Sequence, residues 1–220
     1  MGSSQPKVNN VFTVTNRSLY LCVGARDDMA TFLPDVLAGG VDIVQLREKH
    51  LEDDVRTTMA KIMAPICHEA GVPFIMNDSP ELAAAVGADG VHVGQDDVSV
   101  THCREILGPD AIIGLSTHAT AEFTQGLTEP VSYLSAGPIT PTPTKPGRAG
   151  TGVTYAVESQ LRSPMPVFVT GGVTDENVGD LVRVGLRHFV VVRYLTEASD
   201  PLNAARRLRA AYDAALAESV

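Results

Sequence analysis

The amino-acid sequence predicts an α/β protein, a single (β/α)8 TIM barrel of eight parallel strands. Short apolar runs alternate with longer amphipathic stretches eight times between residues 19 and 217. Many of the amphipathic stretches end at glycine, which is a common signal for the end of a helix. Strands that are separated by helices form parallel sheets covered by those helices. Eight such units in about 200 residues are typical of a closed barrel at its compact limit. A doubly wound open sheet is the alternative.

The alternation also gives the order and bounds of the elements. We predict strands at 19–23, 41–46, 72–76, 90–93, 111–115, 133–136, 167–170 and 188–192. We predict helices at 29–38, 54–70, 80–86, 100–107, 120–127, 154–161, 175–184 and 201–217. Residues 1–17 are predicted to be a flexible N-terminal arm, and residues 18–220 are predicted to be the barrel that carries the activity.

Composition restricts the class of partner. The net charge of −9 at pH 7 argues against nucleic acid or an anionic membrane as a partner. No apolar run approaches the roughly 18 residues of a membrane span, and the polar N-terminus lacks the apolar core of a secretory signal. Cys22, Cys67 and Cys103 are odd in number and widely spaced, which indicates reduced core thiols. We therefore predict a cytoplasmic protein that acts on small molecules, with a homo-oligomer left open.

Polar residues are distributed asymmetrically around the predicted strands. The turns that lead into the strands are bland, whereas nearly every strand is followed by unusual polar or charged residues. In (β/α)8 barrels the functional groups lie at the C-terminal ends of the strands, so this asymmetry predicts a site there. In strand order, the residues are Gln45, Arg47 and Lys49; Asn77 and Asp78; Gln95, Asp96 and Asp97; Ser116, Thr117 and His118; segment 137–152; Gly171 and Gly172; and Arg193.

The end of the second strand predicts a binding site for a diphosphate. If the strand continues, Gln45, Arg47 and Lys49 lie on one face, because strand side chains alternate. Arginine offers a bidentate fork to phosphate oxygens and lysine offers a point charge. A surface strand end with solvated charges is the competing interpretation.

The third and fourth strands are each followed by an acidic residue that suits a metal ion. Asn77-Asp78 and Asp96-Asp97 follow neighbouring strands, which brings their oxygens within reach of one cation. Oxygen ligands without clustered histidine or cysteine favour a hard ion such as Mg²⁺, which takes only one or two protein carboxylates. A helix N-cap ahead of Pro80 is the competing interpretation. Both hold if Ser79 caps the helix while Asp78 binds the metal.

Segment 137–152 is predicted to be a loop that binds phosphate. Its four prolines and its glycines rule out a helix or a central strand. Its hydroxyls, including Thr142 and Thr144, and its cations Lys145 and Arg148 suit phosphate or pyrophosphate, and it contains no acidic residue. Loops longer than about 12–15 residues in a compact domain are usually functional or disordered. A solvated linker is the alternative.

The remaining candidates are a glycine pair and two histidines. Gly171-Gly172, ahead of a predicted helix, occupies a position where such barrels often hold a phosphate, although a simple turn explains it equally well. His92 is predicted to be a core histidine with one satisfied nitrogen, and His118 is a candidate for substrate contact. The sequence contains no zinc-protease spacing, nucleophile elbow or Walker A motif.

Taken together, these motifs resemble those of thiamine phosphate synthases. The matching segments occur in the family's order and the resemblance covers about residues 18–215. They are 45–49, 77–78, 90–97, 114–116, 137–145 and 171–172. The resemblance implies a (β/α)8 barrel that joins hydroxymethylpyrimidine diphosphate to a thiazole phosphate with Mg²⁺. Pyrophosphate leaves first in that family, and the thiazole nitrogen captures the pyrimidine methylene cation.

The resemblance also implies roles for individual residues of this sequence. Asp78 and Asp97 correspond to the Mg²⁺ ligands, and Ser116 to a residue that bonds the pyrimidine or the pyrophosphate. The diphosphate is expected on Gln45, Arg47, Lys49, Asn77 and Lys145, and the thiazole phosphate on Thr142, Thr144 and Gly172. The residues expected to act in catalysis are Arg47, Lys49, Ser116 and Lys145. The loop is expected to be mobile without ligand and to close when both substrates are bound.

Two departures from the family pattern leave alternatives open. Ser79 stands where many members have arginine, and Arg193-Tyr194 where many have a small Ser-Ala pair. We expect Arg193 to bind the thiazole phosphate, and an ion pair with a carboxylate is the alternative. The alternative functions are a thiazole tautomerase that uses a histidine such as His118, and a non-catalytic sensor of a phosphorylated ligand.

Overall fold

The computed structural model describes residues 12–142 and 149–219. Eight parallel strands form a closed barrel in which each strand pairs with the next one in sequence, and the last pairs with the first. This confirms the predicted fold. The strands are β1 (Leu19–Val23), β2 (Ile43–Leu46), β3 (Phe74–Asn77), β4 (Gly90–Val93), β5 (Ile112–Thr117), β6 (Tyr133–Ala136), β7 (Val167–Val169) and β8 (His188–Val191).

The helices follow the strands around the outside of the barrel, within a few residues of the predicted bounds. They are α1 (Met29–Ala38), α2 (Asp53–Glu69), α3 (Pro80–Val86), α4 (Val100–Leu107), α5 (Thr120–Gly126), α6 (Gly152–Arg162), α7 (Val178–Arg183), α8 (Arg193–Thr196) and α9 (Pro201–Glu218). The short helix α8 was not predicted, because four residues are too few to show a helical period.

The barrel interior is apolar at its N-terminal end. Tyr20 and Tyr133 pack there with Phe168, at ring centroid distances of 5.3 Å (Tyr20–Phe168) and 5.1 Å (Tyr133–Phe168). The cluster also contains isoleucines from β2, β3 and β5. Val14, within the predicted N-terminal arm, belongs to the same cluster and is 3% exposed. The end of the arm therefore packs against the barrel, and the domain boundary at residue 17 stays a prediction.

Asp42 and Arg209 join the last helix to the first strands at this end. The Asp42 carboxylate accepts hydrogen bonds from the backbone N–H groups of Ser18 (3.0 Å) and Leu19 (2.9 Å). The Arg209 guanidinium donates to that carboxylate at 2.7 Å and to the carbonyl of Gly40 at 2.6 Å. This half-buried network fixes α9 against β1 and β2.

The cysteines and the apolar segments of the chain were both the subject of predictions from composition. Cys22, Cys67 and Cys103 are all buried thiols, as predicted. Among the described residues, no helix is long and apolar enough to cross a membrane.

Candidate functional site

A cavity of about 640 Å³ opens at the C-terminal ends of the strands, within the size range of small-molecule sites. Every residue predicted to bind a substrate or the metal that the structure describes lines this cavity. They are Gln45, Arg47, Lys49, Asn77, Asp78, Asp97, Ser116, Thr142, Gly172 and Arg193. Thr144 and Lys145 lie outside the described residues. The roles of all these side chains stay predictions, but their convergence follows from the barrel.

The diphosphate candidates extend from the end of β2. The backbone N–H of Arg47 donates to the carbonyl of Val23 at 2.8 Å, so the pairing with β1 continues beyond the last residue of the strand. The side-chain alternation therefore also continues, and it directs Gln45 and Arg47 into the cavity with Lys49 at its rim. The Lys49 ammonium lies 2.7 Å from the carboxylate of Asp78, which follows the neighbouring strand.

Asp78 has an unusual backbone conformation for a residue with a side chain. Its φ is 62°, and it is the one non-glycine with positive φ in the part of the chain that the structure describes. Such a conformation costs on the order of 1 kcal/mol and is found at functional sites. The hydroxyl of Ser79 accepts a hydrogen bond from Leu82 N at 3.3 Å and caps α3. Ser79 therefore supplies the cap, and Asp78 is left to face the cavity.

The carboxylates of Asp78 and Asp97 share one electrostatic environment. Burial raises the pKa of Asp78, and the negative charge of Asp97 raises it further, while Lys49 acts in the opposite direction. Asp97 is held in place by the backbone N–H of Gly94, which donates to its carboxylate at 2.8 Å. A divalent cation at this position would relieve the cost of the Asp78 charge. The two carboxylates offer oxygen ligands of the kind that a hard cation prefers. Among the described residues, no group of three or more His, Cys, Asp or Glu side chains is placed to hold a metal ion.

The glycine pair after β7 leaves space for the first residues of segment 137–152, which approach it closely. A Cβ on Gly171 would lie 2.8 Å from the backbone nitrogen of Ile139, and one on Gly172 would lie 2.7 Å from the hydroxyl oxygen of Thr140. The Ile139 N–H donates to the carbonyl of Thr170 at 2.7 Å. The close approach predicted for a phosphate is therefore made by the first residues of segment 137–152. A phosphate contact at Gly172 stays a prediction.

Arg193 lies at the end of β8, where it begins α8 and lines the cavity. Its side chain is exposed and forms no ion pair or hydrogen bond with the residues in 12–142 and 149–219. The alternative that it pairs with a carboxylate therefore finds no partner in that part of the chain. Tyr194 is bound to α9 instead, since its hydroxyl donates to the carbonyl of Ala204 at 3.3 Å.

Several polar side chains reach the cavity from inside the strands and were not predicted from the sequence. His92 was predicted to have one satisfied nitrogen, but both nitrogens form hydrogen bonds: Nδ1 with the Tyr133 hydroxyl (3.0 Å) and Nε2 with the Ser116 hydroxyl (2.8 Å). Tyr20 and Tyr133 also line the cavity, although their strands looked simply apolar. Strand alternation was the available signal, because it places Tyr20 on the inward face.

His118 and Glu122 form a further pair that sequence analysis did not connect. His118 Nδ1 lies 3.0 Å from the Glu122 carboxylate, and both residues line the cavity. The two residues are four positions apart, about one helical turn, and Glu122 lies in the first turn of α5. A carboxylate that orients a histidine is a common arrangement for proton transfer.

A family model described as thiamine monophosphate synthase matches residues 14–195. A thiamine-phosphate synthase of Acidothermus cellulolyticus is 40% identical over 210 residues, which cover 92% of this chain and 98% of the relative. One from Synechocystis sp. is 37% identical over 191 residues, and there the match covers 87% of this chain and 56% of the relative.

A solved structure supports the fold independently. The thiamine phosphate pyrophosphorylase from Pyrococcus furiosus superimposes with a TM-score of 0.83 at 24% identity, covering 92% of this chain and 98% of that one. The match of the family model to most of the chain, together with 40% identity to a full-length relative, decides the assignment. The chain belongs to the thiamine monophosphate synthase family.

Proposed function

We propose that this enzyme joins hydroxymethylpyrimidine diphosphate to a thiazole phosphate and releases pyrophosphate, as a thiamine-phosphate synthase. The single observation that carries the proposal is the convergence of two kinds of charge in one cavity. Arg47 and Lys49 bring cations from β2, and Asp78 and Asp97 bring carboxylates from the ends of β3 and β4. A diphosphate bound through a metal ion needs both.

The two acids are proposed to hold Mg²⁺. Their number suits an ion that keeps most of its shell for water and phosphate oxygens. The raised pKa of Asp78, to which burial and the nearby Asp97 both contribute, supports the same assignment. Bound Mg²⁺ would neutralise charge that develops on the pyrophosphate oxygens.

The other side chains are proposed to bind and orient the two substrates. Gln45, Arg47 and Asn77 would hold the diphosphate with Lys49 and Lys145, and Ser116 would bond the pyrimidine or the pyrophosphate. Thr142, Thr144 and Gly172 would hold the thiazole phosphate, and Arg193 would add a cation to that end. Segment 137–152 would close over both substrates and exclude water.

The chemistry suits a site without an activated nucleophile. The C–O bond between the pyrimidine methylene and the diphosphate breaks, and the electron pair leaves with pyrophosphate. A C–N bond then forms from the thiazole nitrogen lone pair to the methylene carbon. The contribution of the protein is therefore charge stabilisation on the leaving group by Arg47, Lys49 and Lys145.

A direct assay tests this function. Purified protein is incubated with both substrates and Mg²⁺, and thiamine phosphate and pyrophosphate are measured separately. Equal amounts of the two products are expected. Pyrophosphate without thiamine phosphate would indicate hydrolysis, and the absence of both products would refute the synthase function.

The pair formed by His118 and Glu122 favours one second candidate, a thiazole tautomerase. Its side chains supply an oriented base in the same cavity. The test is exchange of a thiazole substituent proton for deuterium, followed by NMR. Exchange that is lost in His118→Asn would support the tautomerase, and exchange at the rate of the protein-free control would exclude it.

The same enzyme is proposed to be cytoplasmic, because three buried thiols are typical of proteins from reducing compartments. Its partners are proposed to be the two small-molecule substrates. A homo-oligomer stays open, and sedimentation velocity would measure it.

A further inference from the structure

A continuous chain of hydrogen bonds crosses the interior of the barrel beneath the cavity. Gln45 Nε2 donates to the Tyr20 hydroxyl at 2.6 Å, and the Tyr20 and Tyr133 hydroxyls lie 2.9 Å apart. Tyr133 contacts His92 Nδ1 at 3.0 Å, and His92 Nε2 contacts the Ser116 hydroxyl at 2.8 Å. We call these five residues, which come from five different strands, the interior relay.

The donor at one end fixes the direction of every bond in the relay. The Gln45 amide nitrogen can only donate, so the Tyr20 oxygen accepts and its single O–H must donate to Tyr133. The Tyr133 oxygen then accepts, and its own O–H donates to His92 Nδ1. A nitrogen that accepts carries no proton, so the His92 proton lies on Nε2 and is donated to Ser116.

Cys22 supports the orientation of the Gln45 amide. Its Sγ lies 3.6 Å from Gln45 Oε1 and is the donor in that contact. With the amide oxygen on the side of the thiol, the amide nitrogen faces Tyr20. A reversed amide would reverse the whole relay, because each hydroxyl has only one hydrogen to donate.

The two tyrosines are well suited to act as donors. Burial raises the pKa of Tyr20 and of Tyr133, so both are phenols with a hydrogen to donate. An unpaired buried hydroxyl costs about 1–3 kcal/mol, which disfavours any arrangement that leaves one link unmade.

Gly114 provides the space that the relay needs. It lies on β5 beside the contact between Tyr133 and His92. A Cβ at this position would lie 2.4 Å from the Tyr133 hydroxyl oxygen and 2.5 Å from His92 Nδ1. A glycine inside a strand weakens it, so its presence here indicates a close contact that excludes a side chain.

We propose that the interior relay is a positioning device that turns the Ser116 hydroxyl hydrogen into the cavity. Ser116 Oγ accepts from His92, and it forms no other hydrogen bond with the described residues. Its O–H is therefore available to a ligand atom that accepts, such as a pyrimidine ring nitrogen or a phosphate oxygen. The identity of that ligand rests on the proposed function, whereas the direction of the relay does not.

The first test measures the direction without any turnover. Protein with ¹⁵N-labelled histidine is studied by long-range ¹H–¹⁵N NMR at neutral pH, with His92→Gln to assign the signal. A neutral ring that is protonated on Nε2 is expected. A ring protonated on Nδ1, or on both nitrogens, would overturn the proposal whether or not the protein makes thiamine phosphate.

The second test cuts the relay at Tyr133. In Tyr133→Phe the His92 ring should lose its single tautomer. The kcat should fall roughly 3- to 10-fold, the size of one misdirected neutral hydrogen bond, with the KM for the thiazole phosphate unchanged. Tyr212→Phe is the matched control, because its hydroxyl donates to the carbonyl of Arg187 at 3.2 Å outside the relay. It should change neither the tautomer nor kcat.

A double mutant separates positioning from general damage to the fold. If Tyr133 acts through Ser116, adding Tyr133→Phe to Ser116→Ala should cause no further loss of kcat. Losses that multiply would contradict the proposal. If the Tyr133→Phe variant does not fold, Tyr20→Phe takes its place in the double mutant. This substitution removes the preceding hydrogen bond of the relay, and it too should cause no further loss of kcat when added to Ser116→Ala.

Discussion

Replacing Asp78 by asparagine tests the metal site with little change to the backbone. Asparagine has nearly the same size and, like aspartate, tolerates the positive φ of 62° that this position requires. The substitution therefore removes the charge and leaves the turn intact. Alanine would combine the two effects, because it lacks the local hydrogen bonds that stabilise this conformation.

The expected size of the effect follows from what Asp78 contacts. It would contribute one of the two carboxylates proposed to hold the ion, and a contact with a charged group is worth about 1.5–3 kcal/mol. Each 1.4 kcal/mol is a factor of about ten, so the Mg²⁺ concentration for half-maximal activity should rise roughly 10- to 150-fold. The assay is a Mg²⁺ titration of initial rates with both substrates saturating.

The same substitution should stabilise the apoprotein. Because burial and Asp97 raise the pKa of Asp78, the folded state binds its proton more tightly than the unfolded state does. That carboxylate therefore destabilises the fold fully above its folded pKa. The penalty shrinks as the pH falls from that value towards the lower pKa of the unfolded state, below which it is absent. The Asp78→Asn variant should melt above the wild type at neutral pH without Mg²⁺, and the difference should shrink in acid.

Asp96→Asn is the matched control, since this acid lines the same cavity but is not one of the two carboxylates proposed to hold Mg²⁺. It should leave the Mg²⁺ requirement and the melting temperature near those of the wild type. An unchanged Mg²⁺ requirement in Asp78→Asn, or an equal effect of Asp96→Asn, would refute the metal assignment.

Three further substitutions separate binding, catalysis and stability. Arg193→Ala should raise the KM for the thiazole phosphate roughly tenfold and change the KM for the diphosphate little, because its cation has no protein partner among the described residues. Equal changes of the two KM values would contradict this. Lys145→Ala should lower the single-turnover rate constant at least tenfold if the lysine stabilises departing pyrophosphate, and an unchanged rate would remove it from that role. Asp42→Ala should destabilise the fold by about 3–5 kcal/mol, since it leaves the Ser18 and Leu19 N–H groups without their acceptor and Arg209 with only a longer ion pair, to Asp213 at 3.7 Å. Thermal melting should show a loss of roughly 10 °C, and a change under about 2 °C would contradict the network's role.

Local sequence patterns were sufficient to predict the barrel and the position of the site. Apolar runs and helix-ending glycines locate strands and helices, and parallel strands in a barrel bring their C-terminal ends together. Arg47, Asp78 and Asp97 could therefore be placed in one cavity before any coordinates were known. What local patterns cannot supply is the contact between distant strands. Tyr20 and Tyr133 are 113 residues apart, and only the closure of the barrel brings their hydroxyls within hydrogen-bond distance.

The glycine pair after β7 is a second case in which a local pattern did not give the tertiary contact. The sequence predicted a close approach at the glycine pair, but by a phosphate. In the structure the close approach at Gly171 is made by the backbone of Ile139. A glycine in the sequence indicates that space is left beside its backbone, but only the tertiary structure determines which group fills that space.

On β2 and β3 the inward side chains form two layers along the barrel axis, an apolar one for stability and a polar one for binding. On β2 and β3 the first inward residue is isoleucine, Ile43 or Ile75, and both are fully buried in the apolar cluster. Two residues later the inward position is Gln45 or Asn77, and these line the cavity. Strand alternation places both on the same face, 6–7 Å apart along the strand by about 3.3 Å per residue. The apolar layer closes the barrel beneath the site, so the polar layer above it can be occupied by side chains chosen for binding.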